Sequence, residues 1–91
     1  MIKVAQTSDL DPMRFDVTIQ EHTGSTRHVV TLSRSDCHRL AGPDCPPGHC
    51  IEAAMRFLLE REPKESILPR FDISVIGRYF PEFEQSLADY L

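Results

Sequence analysis

The stretch "FDVTIQEHTGSTRHVVTL", residues 15–32, decides the fold. Phe15, Val17 and Ile19 alternate with Asp16, Thr18 and Gln20, which is the period of a strand with one buried face. After a polar break, His28, Val30 and Leu32 alternate with Val29 and Thr31 in a second such run. The pair predicts a β-hairpin over about 14–21 and 26–32, with residues 22–25 as its loop and Gly24 supplying a positive φ. In that register Ile19 opposes His28, Val17 opposes Val30 and Phe15 opposes Leu32. A slip by one residue would turn every apolar side chain to solvent, so the buried face is strongly specified.

Ser33 and Asp36 stand at capping-box spacing, and Cys37 and Leu40 share a helical face, which predicts a short helix closed by Gly42-Pro43. The segment "GPDCPPG", residues 42–48, should be an irregular loop. Ile51, Ala54, Met55, Leu58 and Leu59 then form the apolar stripe of an amphipathic helix over about 48–61. On its other side Glu52, Arg56 and Glu60 are spaced for exposed ion pairing. Pro63 opens a further single turn, Asp72 is placed to cap "ISVIGRYF", and "PEFEQSLADYL" sets Phe83, Leu87, Tyr90 and Leu91 on one side. Upstream, residues 1–12 read as a loosely ordered N-terminal arm or a short strand, with a break at Asp11-Pro12. The fold class is therefore α+β: a β-hairpin packed against one amphipathic helix, with additional short C-terminal helices, in a single domain over 13–91. A hairpin is not stable alone, and its open edges invite pairing by residues 1–6 or by a second subunit in a homodimer.

Composition narrows the partners. The chain has 91 residues, 41% hydrophobic and 26% charged, with a net charge of −4 that deepens toward the C-terminus. No basic stripe is present for binding nucleic acid. No apolar window is long enough to cross a membrane, and no apolar leader follows the N-terminus, so a cytoplasmic protein with reduced thiols is expected.

The densest chemistry is "CHRLAGPDCPPGHC", residues 37–50, which holds all three cysteines and two of the four histidines. Cys37, Cys45, His49 and Cys50 are the set that a zinc site would use. Structural zinc wants two close ligand pairs at tetrahedral corners. Cys45 with His49 or Cys50 offers one pair, but Cys37 and His38 are adjacent and diverge by about 100° on a helix. Packing explains Cys37 and Cys50 better, since a free cysteine behaves as a small buried hydrophobe. A helix N-terminus would lower the Cys50 thiol pKa, yet no orienting group or oxyanion loop accompanies it. No phosphate-cradling glycine motif or separated carboxylate pair exists either, so no catalytic residue, cofactor or enzymatic activity is expected.

From Phe57 to Phe83 the chain holds five aromatics among dense apolar residues, more apolar surface than one hairpin can cover. Within this region "FLLEREPKESIL" (57–68) and "FDISVIGRYFPEF" (71–83), preceded by "STRHVVTL" (25–32), resemble a signature of small uncharacterised bacterial proteins of similar length. That family has no assigned activity, so the resemblance implies no substrate, and it leaves the cysteine-bearing "GPDCPPGHC" outside the similar block. It directs attention to the charged turn at 61–66, and a protein partner is expected to meet either that turn, through Arg61, Glu62, Lys64 and Glu65, or the aromatic C-terminal helices, where Arg78 lies. The expected role is a small non-enzymatic interaction or regulatory module; a small zinc-binding protein is the alternative.

Overall fold

A computed structural model describes all residues, 1–91. Its centre is the expected hairpin, enlarged to a four-stranded sheet in the order β1 (Ile2–Ser8), β2 (Met13–Glu21), β3 (Gly24–Leu32), β4 (Arg70–Asp72). β1–β2 and β2–β3 are antiparallel, while β4 joins β3 in parallel. Between β3 and β4 the chain forms α1 (Arg34–Ala41), α2 (Pro47–Leu59) and a 3-10 turn at Lys64–Ser66. After β4 come a 3-10 turn at Ile73–Val75, α3 (Ile76–Tyr79), α4 (Phe83–Ser86) and a last 3-10 turn at Leu87–Tyr90.

The buried face of the sheet is as the alternation required: Met13, Phe15, Val17, Ile19, His28, Val30 and Leu32 are all inside. The register differs. Ile19 opposes Thr26, Val17 opposes His28, Phe15 opposes Val30 and Met13 opposes Leu32. The loop is only His22-Thr23, with Glu21 facing Gly24, whose φ is +128° as a glycine there allows. The shift is by two residues, so each side chain keeps its face. Residues 2–8 settle as a full strand rather than an arm, with Ile2 and Val4 half-buried beside the core.

α1 begins as expected, with Ser33 Oγ accepting from the Asp36 N–H at 3.0 Å. α2 starts one residue before the expected boundary, because Pro47 takes the first helical position, where its missing N–H costs nothing. More than a stripe of α2 is buried: Ala53 and Phe57 join Cys50, Ile51, Ala54, Met55 and Leu58 inside. The reason is its central place, with the sheet on one side and the C-terminal turns on the other. The ring of Phe57 meets those of Phe83, Tyr90 and Phe80 edge-on at centroid distances of 5.0, 5.8 and 5.9 Å. The expected Glu52–Arg56–Glu60 pairing is replaced by links to the C-terminus: Arg56 donates to the Tyr90 carbonyl, and Glu60 accepts from the Tyr90 hydroxyl at 2.9 Å.

Candidate functional site

The buried histidine and lysine lie on the path from the hairpin to the C-terminal half. His28 is 4% exposed and bridges two elements: Nε2 lies 2.9 Å from Thr26 Oγ1, and Nδ1 lies 2.8 Å from the Leu68 carbonyl. Only a ring N–H can serve the carbonyl, so Nδ1 donates there and, in the neutral ring, Nε2 accepts from the threonine hydroxyl. The next strand residue continues the seam, with the Val29 N–H donating to the Pro69 carbonyl at 2.8 Å. These bonds fix Leu68 and Pro69 beside β3 and lead the chain into β4.

The expected partner surface at 61–66 is rearranged by the structure. Lys64 is not on the surface: it is 2% exposed, and its ammonium donates to Thr23 Oγ1 at 2.7 Å, Glu65 at 2.8 Å and Glu21 at 3.0 Å. It pins the 63–66 turn to the tip of the hairpin, with all three ammonium protons satisfied. Glu65 is exposed but committed to Lys64. Arg61 lies over the Phe57 ring, its Cζ 3.6 Å from the centroid, and donates to Glu82, to the Phe57 carbonyl and to the Tyr90 hydroxyl. A cation held over an aromatic face is an attractive packing element, and here it seals the aromatic cluster. Arg78 is exposed and unpaired. Of the five residues, Lys64, Glu65 and Arg61 hold the fold together; Glu62 and Arg78 stay available.

Glu62 stands at the edge of an apolar groove. The groove encloses about 340 Å³ between the end of α2, the segment before β4, and α3, and eight of its ten lining residues are hydrophobic. Leu58, Ile67 and Ile76 form its floor, being buried, while Leu68 and Tyr79 stand at its sides 45% and 67% exposed. Glu62 is its only charged lining residue, and its carboxylate makes no intramolecular bond. The signal in the sequence was the excess of apolar residues over 57–83, not the charged turn. A larger depression, about 610 Å³, lies on the open face of the sheet, where Arg14 and Arg70 are offset by Asp16 and Asp72. That balance offers no net field for an ion.

The cysteine segment is structural. Cys37 and Cys50 are buried, Cys45 is half-buried, and none is bonded to another. Burial pushes the Cys50 thiol up to about 12, with Cys37 and Cys45 adding to the rise, the opposite direction to the lowering expected of a thiol at a helix N-terminus. Burial raises the Cys37 thiol too. His49 is exposed, with Nε2 3.3 Å from the Leu91 carbonyl. No three of the histidine, cysteine and acidic side chains converge where a metal ion would need them, so Cys37, Cys45, His49 and Cys50 do not form the alternative zinc set.

β4 ends at Asp72, which shows how acid should act on this half of the molecule. Its carboxylate accepts from Thr31 Oγ1 at 2.6 Å and from the Ser74 N–H at 3.0 Å. Burial alone would raise its pKa, but the Thr31 and Ser74 bonds outweigh it and hold the carboxyl below its ordinary 3.8. The Lys64 ammonium likewise holds Glu65 below 4.5. A depressed folded-state pKa means stability that is complete above the unfolded value and is lost as pH falls through the folded one. The urea midpoint should therefore drop on acidification from about pH 5 to about pH 3, and Asp72→Asn should make that drop shallower. An equal drop in the variant would show that Asp72 carries none of it.

No family model matches the chain, and neither the curated proteins nor the solved structures include a match. No helix is long and apolar enough to cross a membrane.

Proposed function

We infer that the protein is a small non-enzymatic interaction or regulatory module of the cytoplasm, and that its groove takes a segment of a partner protein. The occupant is an exposed peptide carrying one large apolar side chain beside a lysine or arginine. The observation that carries this reading is the pairing of an open apolar groove with a single unpartnered carboxylate, Glu62, at its edge. Its volume of about 340 Å³ suits one or two anchoring side chains. Exposed Leu68 and Tyr79 would cover the flanks of such an anchor. Burial of one anchor supplies about 1.5–3 kcal/mol, which makes the contact reversible and dependent on the charge pair for selectivity. The anchoring of Leu68 by His28 keeps one wall of the groove in place before binding, so little ordering cost falls on this side.

Selection from a random displayed-peptide library tests this. Enriched sequences should share an apolar or aromatic residue next to Lys or Arg. Leu68→Asp should weaken their binding by more than about tenfold, equivalent to losing about 1.4 kcal/mol. Glu62→Lys should redirect selection toward acidic flanks. A library that yields no shared sequence, or peptides that bind both variants as tightly as the parent, would rule the groove out.

A further inference from the structure

β1 is an edge strand whose hydrogen-bonding phase can be read directly. The Gln20 N–H donates to the Met1 carbonyl at 2.8 Å, and Met1 N donates to the Gln20 carbonyl at 2.7 Å, so this pair exchanges both bonds. Antiparallel ladders alternate, which makes Lys3–Thr18 and Ala5–Asp16 the next bonded pairs. The N–H and C=O groups of Ile2, Val4 and Gln6 therefore point away from β2, along the open edge. Their side chains lie on the helix-covered face, where Ile2 and Val4 are only half-buried.

Proteins blunt such edges with proline, inward charges, bulges or very short strands. β4, at the opposite edge, is protected in this way: it has three residues and follows Pro69. β1 has seven residues, no proline and no charge on its inward face, and its one irregularity, between Gln6 and Ser8, leaves residues 2–6 regular. The geometry points to a second copy of this chain as the occupant of the β1 edge, paired antiparallel about a two-fold axis at Val4. In that register Val4 faces Val4 of the partner subunit, and Ile2 faces Gln6 of the partner subunit, so every outward bonding group of these three residues finds a partner. Lys3, the only charge on the strand, faces the partner's Ala5 rather than another lysine. The half-buried Ile2 and Val4 rows of the two copies join beneath the helices. Assembly stops at two, because the joined sheet ends at both sides in the short β4.

Light scattering coupled to size exclusion, over a range of loading concentrations, tests the proposal. The parent chain should run as two chains and dissociate on dilution. Val4→Pro removes an N–H that the single subunit does not use, and should give a monomer with an unchanged circular-dichroism spectrum. Position 5 supplies a separate readout, because it faces Asp16 within its own chain and Lys3 across the dimer. Ala5→Glu should tighten dimerisation and Ala5→Lys should weaken it, each by roughly two- to thirtyfold for two cross-strand pairs per dimer. Their effects on subunit stability should have the opposite signs. A chain that stays monomeric at every concentration overturns the proposal, as does a dimer that responds alike to Ala5→Glu and Ala5→Lys.

Discussion

Phe57→Ala should lower the unfolding free energy by about 3–5 kcal/mol, read from urea titration followed by circular dichroism. The ring is fully buried and is the shared neighbour of Phe80, Phe83 and Tyr90, with the Arg61 guanidinium closing its other side. Truncation therefore removes one transfer contribution and leaves a cavity in which three rings lose their edge-to-face partner. No backbone link is lost, so the sheet should outlast the C-terminal turns as denaturant rises. A cost below about 1 kcal/mol would mean that the C-terminal cluster does not rest on this ring.

The second large effect is expected at a residue that reads as surface. Lys64→Glu should abolish the native circular-dichroism spectrum or lower the thermal midpoint more than any exposed charge change in the chain. It would place a carboxylate where the buried ammonium now stands, beside the solvent-facing carboxylates of Glu21 and Glu65, with Thr23 left unmatched. Reversing the one buried member of the network leaves three carboxylates together with no cation between them. Lys64→Met, which removes the charge but keeps the stem's volume, should be the milder of the two. Equal midpoints for Lys64→Glu and the parent would show that Lys64 reaches solvent and does not pin the turn.

Lys64 also shows where the sequence stops being informative. A lysine between glutamates in a polar turn carries the signature of a solvated face, and only the hairpin tip folding back over it makes it interior. The alternation of residues 15–32 was fully legible, because a period of two fixes which side chains share a face. It is blind to a shift by two, which is how the observed register differs from the expected one: a two-residue turn and a four-residue loop bury the same set. β4 left no trace, since three residues of parallel pairing have no local pattern and exist only because His28 and Val29 hold the Leu68-Pro69 carbonyls. Cys37 and Cys50 were legible as packing residues from helical phase alone. The groove was half-legible. The excess of apolar residues over 57–83 announced surface in need of cover, but most of it was used internally by Phe57, Ile73 and Phe83. What remained open depended on where Leu68 and Tyr79 came to stand, and those positions are set by tertiary contacts.

Two surfaces with different chemistry follow from this architecture. The β1 edge is self-complementary and regular, suited to a copy of the same chain. The groove at the opposite side of the sheet order, beside β4, is apolar with one free carboxylate, suited to a foreign peptide. Pairing at one leaves the other unobstructed, so a dimer would present two grooves and gain avidity for a partner with repeated motifs.

The most direct test is a nitrogen–proton NMR titration of the labelled protein with a peptide carrying an apolar anchor beside lysine. The groove predicts saturable shifts at Leu58, Glu62, Leu68 and Tyr79, with the Cys45 loop and the open sheet face unmoved. Shifts centred on that loop or on Arg14 and Arg70, with the groove residues silent, would contradict it.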